Sequence, residues 1–155
     1  MANFKELNIN LDVILQKLLA NNNLCNLINY NTVDALSQDN LEDSSELLYT
    51  KIFPYPCDTK VLNEASSILI VGFDNFKAVG TSFVGNILYF RILCHQSLYK
   101  LNEGLRPYHI AHEIASLFNN QRVVGIGKIL FSSCGEIREG DYYGFELAYK
   151  ITEFS

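Results

Sequence analysis

The sequence is short of the residues that usually announce a chemistry. It has no tryptophan, one methionine, three prolines and three histidines among 155 residues. Cations are outnumbered, with 12 Lys and Arg against 17 Asp and Glu, for a formal net charge of −5. That balance argues against a general nucleic-acid binder, which needs a basic stripe to neutralise phosphates. Long apolar runs are missing as well. "SILIVGF" and "NILYFRILC" fall far short of the roughly 20 residues a membrane-spanning helix requires, so no membrane partner is expected. The opening "MANFKELNINLDVIL" lacks a basic segment followed by an apolar block, so no export signal is expected and an internal compartment follows. The four cysteines, Cys25, Cys57, Cys94 and Cys134, contain no C-x-x-C pair. A zinc ribbon needs such pairs to hold thiolates about 2.3 Å from one ion, so free and mostly buried thiols are expected instead. No G-x-S-x-G, no telling carboxylate dyad and no cofactor fingerprint occurs. The chain is therefore read as non-enzymatic and without a cofactor.

What is present suits one globular domain over residues 1–155: hydrophobic content is 48% and charged content 19%. Residues 11–19 carry Leu11, Ile14, Leu15, Leu18 and Leu19, the spacing of an amphipathic helix. "ANNN" breaks it, because Asn competes for its own backbone, and "LCNLINY" supplies a second short helical turn. From about 31 to 67 the periodicity dissolves into an extended loop holding the acidic "SQDNLEDSSE" and the aromatic "KIFPYP". The two prolines of the latter forbid helix and central strand alike. Strand periodicity then appears at 66–73 and 86–95, joined by turn chemistry over 74–85, which predicts a long β-hairpin. A helix is expected over 107–118, a strand over 123–133, a turn in "GEIREGD" and a strand over 142–151. In that last strand Tyr143, Phe145, Leu147, Tyr149 and Ile151 share one face. The fold class is α+β, with a single mostly antiparallel β-sheet packed against two helices.

Three candidate chemistries stand beside plainer readings. In "RPYHIAHEIASLFNN", His109, His112 and Glu113 share an arc opposite Ile110, Ile114, Leu117 and Phe118. With His95 as a further ligand they would make a small metal-dependent hydrolase. Helical zinc sites place histidines at i, i+4 around a glutamate, whereas here they stand at i, i+3. The plainer reading is a wet helix face with a His109–Glu113 surface pair. "GIGK" is a fragment of a phosphate loop and equally a glycine-marked strand irregularity. Cys94 and His95 adjoin, but strand neighbours point to opposite faces, so Cys94 reads as core. Beyond these stand nine tyrosines and ten phenylalanines, a supply of contact area suited to protein interfaces. Phe53, Tyr55, Phe76 and Phe83 are the candidates for that role.

The stretches "LLANNNLCNLINYNTVDALSQDNL", "KIFPYP", "ILYFRILCH", "LRPYHIAHEIASLFNNQRVVGIGKILFSS" and "YYGFELAYKI", in that order, resemble bacteriophage tail terminator (tail-completion) and related neck proteins. The resemblance covers nearly the whole chain and rests on element order. It implies a tail-terminator-like α+β domain of which six copies close into a ring between the tail tube protein and the head-side connector. It implies a virion protein assembled in the host cytoplasm, with genome DNA passing through the channel without specific binding. A ring contact is heterologous, one surface meeting a different one. The loop at 31–67 and the hairpin tip at 74–85 are then the natural arms. Asp39, Glu42, Asp43 and Glu46 would repel phosphates if they lined the channel, and otherwise form a solvated run.

Overall fold

A computed structural model describes residues 4–79, 82–123 and 126–151, with side chains described there except over 77–86. The first helix, α1 (Phe4–Leu19), begins earlier than the apolar spacing predicts. Leu7 and Asn10 continue the buried stripe of Ile14, Leu15, Leu18 and Leu19 backwards by nearly two turns. The asparagine break then narrows to one cap: Asn21 Oδ1 accepts from the Leu24 N–H at 2.9 Å. That cap starts α2 (Asn22–Asn29), a full helix where the sequence promises only a turn. With α3 (Arg106–Phe118) the helical layer has three members rather than two. Among the described residues no helix is long and apolar enough to cross a membrane.

Six strands form one sheet. They are β1 (Ile52–Phe53), β2 (Ser67–Val79), β3 (Ser82–His95), β4 (Gln121–Val123), β5 (Gly127–Glu139) and β6 (Tyr142–Ile151), in the order β1-β2-β3-β6-β5-β4. Among the described strands only β1 and β2 run parallel. The α+β class and the mostly antiparallel sheet are as expected. Boundaries differ in two places. The hairpin ladder continues through residues expected to turn, from Ser67↔Cys94 to Val79↔Ser82. β3 leaves its other partner after Ile87↔Lys150, so residues 75–79 and 82–86 pass beyond the sheet as a two-stranded ribbon. Asn75 (φ 60) sits where the ribbon departs, its N–H donating to Asp74 Oδ1 at 2.7 Å. The second difference lies at 123–133, where one strand was expected. Val123 ends β4 there, Gly127 (φ 76) opens β5, and β5 runs on to Glu139. The turn anticipated over "GEIREGD" shrinks to Gly140 and Asp141, with Gly140 at φ 59. Such a two-residue hairpin selects positive φ there.

The loop at 31–67 is laid against the body of the protein. It contains three short 3-10 turns and β1, and buries Ala35, Leu47, Ile52, Phe53 and Thr59. β1 occupies the sheet margin and ends before Pro54, where a missing N–H disrupts no central ladder. The main core lies between helices and sheet. There Phe90 stacks on Phe118 (5.2 Å between centroids) and meets Tyr149 edge-on (5.8 Å). A smaller core of Phe53, Ile68, Ile70, Leu93 and Tyr142 fills the opposite face beneath the loop.

Candidate functional site

Several of the candidate residues lie on or beside α3. Its buried side carries Ile110, Ile114 and Phe118, matching the apolar arc. The buried side also carries a residue that periodicity did not identify. Arg106 is 1% exposed, and among the described residues it pairs with no carboxylate. Its Nε donates to Leu98 O (2.7 Å), Nη1 to Tyr30 O (3.0 Å) and Leu27 O, and Nη2 to Thr32 O (2.9 Å). Two of these carbonyls finish α2, where the helix leaves acceptors without intrahelical donors and carries partial negative charge. Lys51 Nζ donates to Asn29 O at the same end (3.2 Å). Burial pushes the pKa of both cations down. Arg106 thus fastens α3 to α2 and to the loops on either side. The sequence holds no signal for it, because all its partners are main-chain oxygens.

The polar side of α3 does not assemble a metal centre. His112 is exposed, His109 and Glu113 half-exposed. His109 Nε2 is hydrogen-bonded to the Glu103 carbonyl. His95 stands at the end of β3, its Nδ1 accepting from the Ser97 N–H (3.2 Å) and lying 2.7 Å from Ser97 Oγ. Among the described residues no group of three or more His, Cys, Asp or Glu side chains is placed to hold an ion. Cys94 and His95 point apart. Cys94 enters the main core, where burial pushes its thiol up to about 12, while the His95 ring meets Tyr142 edge-on at 5.3 Å. Such a thiol stays protonated and is a poor nucleophile. All four cysteines are free, but only Cys25 and Cys94 are buried; Cys57 is half-buried and Cys134 exposed. Of "GIGK", Gly125 lies outside the described residues, and Gly127 and Lys128 open a strand.

What the helix does assemble is a surface cleft of about 540 Å³ between its N-terminal end and the far end of β5 and β6. Tyr143 and Phe145 lie on the helix-facing side of β6, half-buried where the first turn of α3 covers them only in part. Tyr108 meets Phe145 edge-on at 4.9 Å, Tyr99 meets Tyr143 at 6.1 Å, and the Arg138 guanidinium lies 5.1 Å over the Tyr143 ring. Burial pushes Tyr99 up to about 12, so its phenol stays neutral. Leu105 (38% exposed) and Tyr108 (59%) form the opposite wall, and a shallow hollow beyond them continues to His109 and His112. The periodicity that put Tyr143 and Phe145 on one face with Leu147, Tyr149 and Ile151 was right about direction and silent on what covers them.

The interface candidates are divided. Phe53 packs inside the smaller core at 7% exposure, whereas Tyr55 is exposed, edge-on to Phe53 at 5.6 Å and stacked with Tyr49 at 6.3 Å. Phe76 is 45% exposed and meets Phe4 of α1 at 6.0 Å. The side chain of Phe83 lies outside the described residues. Asp39, Glu42, Asp43 and Glu46 are all exposed. Asp43 is also structural, its Oδ1 accepting from the Ser45 N–H at 3.1 Å to cap a 3-10 turn.

No curated protein and no solved structure gives a significant match to this chain. The match to a family extends from the break before α2 to the last residue of β6, taking in the Arg106 fastening and the aromatic cleft: over residues 21–151 the chain matches YomW, and it belongs to that phage-derived family.

Proposed function

We propose that the chain is a non-enzymatic structural protein of the phage virion, placed at the neck or tail end. Copies of it form a ring that terminates the tail tube and joins it to the head-side connector. Membership of a phage-derived family supports the setting. The observation that carries the mode of action is the aromatic cleft, in which Tyr99, Tyr108, Tyr143 and Phe145 present rigid, partly exposed rings beside Arg138. Tyrosine and arginine together are the composition of protein-docking hot spots. The exposed acids Asp39, Glu42, Asp43 and Glu46 keep the role of a phosphate-repelling channel lining, so that DNA slides without binding.

Disrupting the gene in the phage tests the placement. The expected result is heads and tails that fail to join, with the protein found by immunogold labelling at the neck of normal particles. Complete infectious particles lacking the protein would end the proposal. Converting the four acids to their amides tests the lining separately. Slower DNA ejection is expected, and unchanged ejection disposes of that role.

A further inference from the structure

β4 pairs with β5 only at residues 127–129, and among the described residues no strand pairs with the outer edge of β5 beyond them. The tight turn decides which main-chain groups that leaves over. A two-residue hairpin closes on a hydrogen-bonded pair, here Glu139↔Tyr142, and such pairs alternate along the ladder. Ile137 and Gly135 therefore bond to Gly144 and Glu146 of β6. Arg138, Glu136 and Cys134 turn their N–H and C=O groups outward instead. Past the irregularity at Phe131/Ser133 the outward residue is Phe131, whose N–H donates to Asn119 Oδ1 at 3.0 Å, so the free row ends there. A free row on an exposed edge templates another strand.

We propose that the added strand is β5 of a second copy, antiparallel and centred on Ile137, about a twofold axis normal to the sheet. Charge selects that register. Outward residues must oppose outward residues. A centre at Glu136 or Arg138 sets like charges face to face, and a centre at Gly135 sets Cys134 against Glu136. A centre at Ile137 sets Glu136 of each copy against Arg138 of the other, twice over. Opposite charges across a ladder are favourable and like charges are not. Both side chains are exposed, and Glu136 has no ion pair among the described residues. Arg138 is held by the Tyr143 ring face and a 3.4 Å bond from Nε to the Gly140 carbonyl, which leaves its Nη groups to donate. Gly135, with open space around it, stands across from Glu139 and leaves the bond between Glu139 and Thr59 Oγ1 (3.1 Å) undisturbed. The half-buried Ile137 side chains meet on the same face. The two sheets become one, with both helix layers on the same side and the aromatic clefts along the seam. The ladder is short, about four main-chain hydrogen bonds, so the dimer is expected at high concentration rather than as a permanent state. Such a contact uses one surface twice, whereas a ring needs two different surfaces, so the inference goes beyond the proposed function and does not rest on it.

Sedimentation of the full chain up to the millimolar range tests the contact by exchanging its charges. Wild type is expected to show a monomer–dimer equilibrium. Glu136→Arg alone sets arginines against each other, and Arg138→Glu alone sets glutamates. Each is expected to weaken dimerisation by about tenfold or more, since two favourable pairs become two repulsive ones. An equimolar mixture of the two variants restores both ion pairs and is expected to form a heterodimer, as the doubly exchanged E136R/R138E chain is expected to pair with itself. Glu136→Lys or Arg138→Asp replaces a variant whose melting curve shows that it does not fold. Single variants that dimerise like wild type, or a mixture that associates no better than its components, overturn the proposal. Wild type that stays monomeric throughout overturns it too. Neither result touches the placement in the virion, which disruption of the gene tests.

Discussion

β2 and β5 are both thirteen residues long and belong to one sheet, yet they are held by different forces. In β2, Ile68 to Val71 are completely buried, with the helices on one face and the loop on the other. In β5, Leu130 to Glu136 are exposed on both faces, and the strand is kept in place by its ladder to β6 and the tight turn at Gly140. Each buried Leu, Ile or Val contributes about 1.5–3 kcal/mol relative to exposure, so stability is concentrated on the β2 side. The β5 side, holding the cleft, can change its side chains at little cost to folding. That separation suits a protein that works by docking: one region sets the shape and the other is left available.

Removing Arg106 should break the stable side. Arg106→Ala strands four carbonyl oxygens and opens a cavity between α2 and α3. A loss of about 3–5 kcal/mol is expected from the midpoint of urea unfolding. Arg106→Lys keeps the charge but cannot reach all four acceptors, and should fall between the two. A loss below about 1 kcal/mol for Arg106→Ala would mean that the fastening is unimportant. Next comes the seam where the packed region meets the open one. A Cβ on Gly144 would overlap the Ile92 carbonyl oxygen across the β3–β6 ladder. Gly144→Ala should therefore force the strands apart and cost about 2–3 kcal/mol.

How much of this is legible in the sequence depends on what each residue touches. The β6 alternation and the α3 arc follow from periodicity alone, and the structure reproduces them at Tyr142–Ile151 and at Ile110, Ile114 and Phe118. The α+β class follows from the order of those elements. The length of the hairpin and of β5 does not, because "DNFKAVGTSFVG" and "GEIREGD" carry turn-forming residues that the ladders override. Arg106 and the cleft are invisible for a different reason. An arginine bound only by main-chain oxygens leaves no partner to find in the sequence. Whether Tyr143 and Phe145 are core or surface depends on where α3 starts, since their own spacing is the same in either case. The histidines were the most conspicuous residues, yet among the described residues no group of three or more such ligands gathers around them.

Smaller effects sharpen the contrast. Asn21→Ala removes the cap that starts α2 and should cost about 1 kcal/mol. α2 packs beneath Arg106, so the loss should couple to Arg106→Ala rather than add to it, and a double-mutant cycle would show the difference.

The smallest effect is the most telling, because it pairs with Gly144 in the same hairpin. Gly135 lies on β5 opposite Glu146, and a Cβ built there meets nothing within 4 Å. Its backbone is not in the left-handed region, so alanine meets neither clash nor strain. Gly135→Ala should change stability by less than about 0.5 kcal/mol, with a slight gain from the reduced freedom of the unfolded chain. Two Gly→Ala changes nine positions apart, on strands paired to each other, thus differ because one faces backbone and the other solvent. A measured loss at Gly135 as large as that at Gly144 would mean that something covers β5 within the monomer. The reading of β5 as exposed on both faces would then have to be abandoned.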